Sequence, residues 1–295
     1  MRRISAASAA ARSGNIASTS RSLFSRAVST AGRRLMALAA AFVLAGASVL
    51  AGPGSSSSVA ATGNVAFPDL PVGFAKVELA QGLKNPTAIA FAQNGDIYIA
   101  QQKGAILLDR GGVVQTTPVI TIPSDTGTET GVLGLALDPN FATNGYMYVG
   151  YTTVDLHAQV SRFTVTGGGT TASLASEVVY WRGNQLQVFH HAINDVHIGP
   201  DGKLWFAVGD NDPSITNATV LTNGYGKMHR LNLDGSVPAD NPFVNVPGAV
   251  QSIYAYGLRN PYRFTFLPNG QAMTEDTGSS YWEELDKIQR GGNYG

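Results

Sequence analysis

Hydrophobic and polar residues alternate with a period of two in four short stretches of the chain, each broken once by a turn-forming dipeptide. The stretches are AIAFAQNGDIYIA (Ala88 to Ala100), LALDPNFATNGYMYVG (Leu135 to Gly150), VHIGPDGKLWFAVGD (Val196 to Asp210) and FTFLPNGQAMTED (Phe264 to Asp276). A period of two puts alternate side chains on one face of an extended strand. Asn-Gly or Asp-Gly between two such runs predicts a β-hairpin in which both turn positions take positive φ. The turn glycines Gly95, Gly145, Gly202 and Gly270 stand 50, 57 and 68 residues apart, somewhat above the roughly 40–50 residues of a propeller blade. Each interval is therefore expected to hold one four-stranded blade and a loop insertion. An ordinary β-sandwich is the competing architecture, but it has no need to repeat one hairpin at blade-like distance. The expected fold class is all-β, a β-propeller.

Composition agrees with many turns and a real core. Of 295 residues, 44% are hydrophobic and 14% charged, and the 34 glycines and 14 prolines fall mostly between short apolar runs. The net charge of zero hides an uneven distribution. Residues 1–61 carry seven arginines and no acid, which leaves 13 basic groups against 20 acidic ones in the remainder. That acidic balance argues against nucleic acid as a partner.

The first 61 residues read as an export signal with a long basic region. Arg33 and Arg34 precede the apolar run Leu35 to Ala51, and the small-residue pairs Val49/Ala51 and Val59/Ala61 suit signal peptidase. An uncleaved anchor, the one route by which a membrane would be a partner, and an Arg/Ser-rich transit peptide are the other readings; the arginine pair is also a poor match to a twin-arginine signal. Residues 62–66 form a linker, and the folded domain is expected over 67–295. The absence of cysteine removes disulfides and thiolate metal ligands, although a periplasmic or secreted location would permit disulfides.

Three polar clusters could carry chemistry. The first, Val188 to Pro213, holds His190, His191 and His197 before or within a strand pair and acids after it. A hairpin can bring His191 beside Asp210, so that the carboxylate fixes one imidazole tautomer, which is a general-base arrangement. Half-buried strand-end histidines are the alternative, and a zinc site lacks a third ligand at a recognised spacing. The second, YGLRNPYRF (Tyr256 to Phe264), presents Arg259 and Asn260 from a loop stiffened by Pro261, which suits a carboxylate-bearing or quinone-like ligand, or else a neighbouring carboxylate. In the third, Thr274 to Gly295, small residues at Thr277 to Ser280 expose carbonyls near Glu283, Glu284 and Asp286. Oxygen ligands of that density suit calcium; a solvated acidic turn is the alternative.

Taken together, the chain from GLKNPTAIAF (starting at Gly82) to Gly295 resembles the soluble quinoprotein glucose dehydrogenases, and more broadly the glucose/sorbosone dehydrogenase family that uses pyrroloquinoline quinone (PQQ). The motifs that carry the resemblance are TGVLGLALDPNFATNGYMYVGYT, H…IGPDGKLWFAVGD, GKMHRLNLDGSVPADNPF, YGLRNPY and EEL…GGNYG. The resemblance implies PQQ and Ca2+ as cofactors, a sugar substrate oxidised at its anomeric carbon, and an external electron acceptor. It further implies His191 as the catalytic base, Asp210 as the acid that orients it, Arg259 and Asn260 as quinone contacts, Gly278 and Ser279 as carbonyl donors to calcium, and Glu283 and Glu284 as acidic positions beside calcium.

Two departures accompany it. The family carries glycine shortly after its histidine, whereas Ile193 and Asn194 stand here, so a differently shaped quinone-facing loop is expected. The family's propeller has six blades, of which the chain is expected to cover about four. A propeller with an open sector exposes sheet faces and an edge, so this length of chain by itself is expected to bind PQQ poorly or not at all. The rival functions are a non-catalytic propeller that binds a partner protein or glycan, and an ester- or lactone-hydrolysing calcium propeller.

Overall fold

Four antiparallel sheets follow one another along the chain in the computed structural model, which describes residues 74, 76–211, 216–280 and 282–295. The expected signal segment 1–61 and linker 62–66 lie outside the described residues. Among the described residues, no helix is long and apolar enough to cross a membrane.

Blade 1 runs β1 (Pro86–Phe91), β2 (Ile97–Gln101), β3 (Ala105–Arg110) and β4 (Val113–Val114), with β5 (Ile120–Thr121) also on β3. Blade 2 runs β6 (Val132–Leu137), β7 (Tyr146–Thr152), β8 (His157–Thr166) and β10 (Val178–Gln185), with β9 (Thr171–Ala172) on β8. Blade 3 is β11 (Ile193–Ile198), β12 (Leu204–Val208), β13 (Lys227–Leu231) and β14 (Ile253–Tyr256). Blade 4 is β15 (Pro261–Phe266), β16 (Ala272–Asp276) and β17 (Glu284–Lys287). The first strands β1, β6, β11 and β15 neighbour one another in that order. The four sheets are thus blades of a β-propeller, and each hairpin expected from the sequence forms the first two strands of one blade.

The turns of those hairpins differ from the expected two-residue kind. In blades 1, 3 and 4 the link closes when Ala92 N–H donates to Asp96 O (2.8 Å), Gly199 N–H to Lys203 O (2.8 Å) and Leu267 N–H to Gln271 O (2.9 Å). Only the glycine is left-handed in each, at φ +88° for Gly95, +69° for Gly202 and +84° for Gly270. Asn94, Asp201 and Asn269 instead accept the backbone N–H two residues on through their side-chain oxygens. That bond stabilises a three-residue loop with a single αL glycine, so the preceding residue keeps negative φ. In blade 2 a short helix, α1 (Phe141–Asn144), lengthens the link and ends at left-handed Gly145.

Packing between blades explains the strand sequences. One apolar cluster, with Tyr98, Leu108, Val132, Met147 and Phe163, lies between blades 1 and 2; a second, with Tyr148, Val160, Trp181, Val196 and Phe206, lies between blades 2 and 3; a third, with Trp205, Met228, Ala255 and Phe264, lies between blades 3 and 4. Strand β7 is covered on both faces, and so is buried at six of its seven residues. Outer strand faces differ: Ile89 and Phe91 of β1 and Leu285 of β17 are exposed. Gly134 and Gly150 face each other across β6 and β7, and a Cβ on either would lie 2.6 or 2.8 Å from Val196 Cγ2. Their lack of a side chain lets β11 seat its valine against blade 2.

Candidate functional site

The β11–β12 hairpin pairs Ile193 with Val208, so the residues two steps outside that pair, His191 and Asp210, face each other at one end of blade 3. His191 Nδ1 lies 2.6 Å from Asp210 Oδ1, and both side chains are buried. His191 is held in an unusual backbone conformation, φ +51°, which a non-glycine residue adopts only when its surroundings enforce it. Three such restraints are visible. Glu129 Oε2 accepts the His191 N–H at 3.2 Å. Asn211, itself at φ +47°, donates to the carbonyls of Val188 and His190 and accepts from Gln187 N–H, tying down the approach to His191. Gly209 packs against the Cα and Cβ of His191, where a Cβ of its own would come within 2.7 Å of both.

The second cluster joins this pair directly. Asp210 N–H donates to Arg259 O at 2.7 Å, so the head of blade 4 abuts the head of blade 3. Buried Asp276, at the end of β16, accepts Arg259 N–H (2.8 Å) and Asn260 N–H (2.6 Å), while Thr277 N–H donates to Asn260 O. The Arg259 guanidinium donates to the carbonyls of Thr277 (2.5 Å) and Gly278 (3.0 Å) and makes no ion pair among the described residues. The expected alternative, a loop arginine held by a neighbouring carboxylate, is therefore not what forms. A positive charge held by carbonyls and left without a counter-charge fits an anionic, carboxylate-bearing ligand.

The third cluster divides in two. Gly278 N–H donates to Glu283 Oε2 at 2.9 Å, and Ser279 beside it is exposed. Glu284 instead joins Asp276 and Asp286, each placing a carboxylate oxygen within 4.8 Å of the others. Burial pushes the Asp276 carboxyl up to about 6, with the charges of Asp286 and Glu284 adding to the effect and the two accepted N–H groups opposing it. Asp286 is likewise raised, by burial and then by Glu284, and its Oδ2 is buried without a hydrogen-bond partner among the described residues. Clustered acids with an orphaned oxygen fit a hard divalent cation such as calcium.

The other histidines of the first cluster go elsewhere. His190 meets the His191 ring edge-on at 4.5 Å. His197, on β11, pairs through Nε2 with Asp195 Oδ2 at 3.0 Å and packs against Phe264. Two clefts are also separate from His191. One, of about 430 Å3, lies among the turns 92–96, 141–145 and 164–169; the other, of about 330 Å3, is lined by Thr87, Asp195, His197 and Arg263.

The structural roles of Glu129, Asn194, Asp276 and Lys227 escaped the sequence reading. Lys227 is fully buried at the start of β13, where its Nζ donates to the carbonyls of Asn217, Ala218 and Tyr225. Burial lowers its ammonium to about 7, against the attraction of Asp210. Asp276 ends the fourth repeated hairpin in an acidic residue, which was a signal in plain sight. Glu129 and Asn194 show no local signal for these roles, because their partners lie 62 and 66 residues away, and Lys227 shows none although its carbonyl partners lie within ten residues.

A β-propeller that presents a buried histidine–carboxylate pair beside an uncompensated arginine is the class these features define. The family model for glucose/sorbosone dehydrogenase matches residues 83–295, and the chain belongs to that family. It is 30% identical over 251 residues to quinoprotein glucose dehydrogenase B of Acinetobacter calcoaceticus, covering 75% of this chain and 52% of that protein. It is 28% identical to the aldose sugar dehydrogenase YliI of Escherichia coli K12, covering 72% of this chain and 59% of that one. A solved structure described as an oxidoreductase (glucose dehydrogenase) of Thermus thermophilus superposes with a TM-score of 0.68 at 30% identity, over 74% of this chain and 66% of that one. The chain thus spans about half to three-fifths of the length of these two curated relatives.

Proposed function

We propose that the heads of blades 3 and 4 form the catalytic face of a PQQ- and calcium-dependent dehydrogenase that oxidises an aldose to its lactone. The observation that carries this reading is the His191–Asp210 bond of 2.6 Å, held in strained backbone and abutting Arg259. Nδ1–H of His191 donates to Asp210, which leaves the Nε2 lone pair as the base for the anomeric hydroxyl proton. Asp210 offsets the charge the ring acquires. The substrate would lose that proton from the hydroxyl oxygen and a hydride from the carbon that bears it, so that this C–O bond becomes the lactone carbonyl. PQQ, when bound, supplies the hydride acceptor, with calcium polarising its carbonyl.

Arg259 and Asn260 would hold the cofactor's anionic oxygens. The carbonyls of Gly278 and Ser279 would face its calcium, with Glu283 fixing the Gly278 amide. Glu284, with Asp276 and Asp286, would take a cation of its own. The family and the word quinoprotein in a relative's name support the cofactor. Export to the periplasm or beyond rests on the apolar run Leu35 to Ala51, and an external acceptor would reoxidise the quinone.

The test is dye reduction by the purified full-length protein. Reduction is expected to require aldose, PQQ and calcium together, and His191→Asn is expected to lower kcat by roughly 10²–10⁴-fold. No aldose-dependent reduction, together with no shift in melting temperature on adding PQQ, overturns the reading.

A further inference from the structure

Asn194, which with Ile193 departs from the expected glycine after the histidine, has a specific task for its side chain in the structure. Strand β11 begins at Ile193, and Asn194 is its second residue, almost wholly buried. Its Nδ2 donates to Asn260 Oδ1 at 2.8 Å and to Pro261 O at 3.2 Å, reaching from blade 3 to the head of blade 4. Its backbone carbonyl accepts from Arg263 Nη1 at 3.1 Å, which fixes the strand from which the amide projects.

Asn260 is thereby restrained at three of its four polar groups. Its N–H is held by Asp276 and its carbonyl by Thr277 N–H. Its Oδ1 is held by Asn194 and touches the space over Gly209, where a Cβ would approach it to 2.7 Å. An amide with its oxygen fixed has its NH2 fixed too, on the opposite side. Asn260 Nδ2 is the group left over, with no hydrogen-bond partner among the described residues.

We propose that Asn194 is a positioning residue that sets the orientation of the Asn260 amide, so that a donor rather than an acceptor is offered to the ligand. This inference rests on the quinone reading of the site and deepens it. The ligand recognised at this point presents an acceptor oxygen, a quinone carbonyl or a carboxylate, and a ligand presenting N–H or O–H there is rejected. A glycine at 194 leaves the amide free to turn either way.

The experiment compares wild type with Asn194→Gly, Asn194→Asp and Asn260→Ala in the full-length protein. PQQ affinity is read by fluorescence titration with calcium present. The aspartate keeps the shape of the side chain but replaces its donor by an acceptor, so the Asn260 amide turns its NH2 toward residue 194. Affinity is expected to fall roughly ten- to hundredfold, the range for losing a hydrogen bond to a charged group. Asn194→Gly is expected to weaken binding by a few-fold, about 3. In the Asn260→Ala background, changing residue 194 should have no further effect on affinity, whereas a merely structural role would add the same loss in both backgrounds.

A second readout needs no cofactor. The Asn260 side-chain NH2 signals, identified by their disappearance in Asn260→Ala, are expected to move in Asn194→Asp and to broaden or move in Asn194→Gly. Unchanged signals and unchanged affinity in Asn194→Asp, in a protein that binds PQQ, overturn the positioning role. Signals that move as expected in a protein that does not bind PQQ support the positioning role while the quinone reading fails.

Discussion

The left-handed backbone of His191 is maintained by individual residues with little freedom to change. Gly209 is the tightest of them, since one added methyl group would press on His191 at 2.7 Å and on Asn260 Oδ1 at 2.7 Å. Neither neighbour can retreat easily, because His191 is tied to Asp210 and Asn260 to Asn194. Gly209→Ala is therefore expected to displace the base and the ligand donor together, lowering kcat/KM at least tenfold while costing about 1–3 kcal/mol of stability, as overpacking does. Steady-state kinetics beside thermal unfolding checks this, and unaltered kinetics would contradict it. At this scale the sequence exposed His191 and Asp210 as residues at the same end of one hairpin, but the bulge between Ile193 and Asp195 is what sets them opposite each other, since the unbroken register would face His191 with Asn211. It left open that His190, His191 and His197 were all half-buried strand-end groups, because their burial and partners depend on that bulge and on a neighbouring blade. Asn194 and Asn260 lie 66 residues apart, and no local pattern links them.

At the scale of elements, the hairpins were legible because alternation and turn chemistry are both local. Their turn type was not, because it depends on whether an Asn or Asp side chain bonds its own backbone two residues on. The connection from β12 to β13 was also opaque, although it supports the site. Asn217, in the short helix α2 (Thr216–Thr219), donates through Nδ2 to Asp210 O, and Lys227 Nζ gathers the carbonyls of Asn217, Ala218 and Tyr225. A buried ammonium is accommodated here because three acceptors replace its water. Lys227→Met leaves those carbonyls unpaired and is expected to cost about 2–4 kcal/mol, with a loss of activity through the loosened Asp210 loop. Urea unfolding and turnover measured side by side check it; a variant as stable and as active as wild type would contradict it.

Across the whole molecule, stability comes from three apolar seams between consecutive blades, and the catalytic face arises where two blades meet. The Asp276–Glu284–Asp286 cluster couples blade 4 to that face, since Asp276 holds the backbone of Arg259 and Asn260. Its pH behaviour follows from the raised Asp276 carboxyl, at about 6. A carboxyl raised in the folded state favours folding at low pH, and that contribution is lost as pH rises from about 4 through 6. A bound dication compensates the charges that appear over the same range. The rise in melting temperature on adding calcium is therefore expected to be small at pH 5 and larger at pH 7.5, and an equal or greater rise at pH 5 would contradict a carboxylate-held cation.

The most direct test of a quinone site between blades 3 and 4 is equilibrium titration of the full-length protein with PQQ, with calcium or with chelator, in wild type and Arg259→Ala. Saturable binding of one PQQ per chain is predicted, weakened at least tenfold by the chelator and by loss of the Arg259 guanidinium. Binding that is absent, or indifferent to both calcium and Arg259, would contradict it.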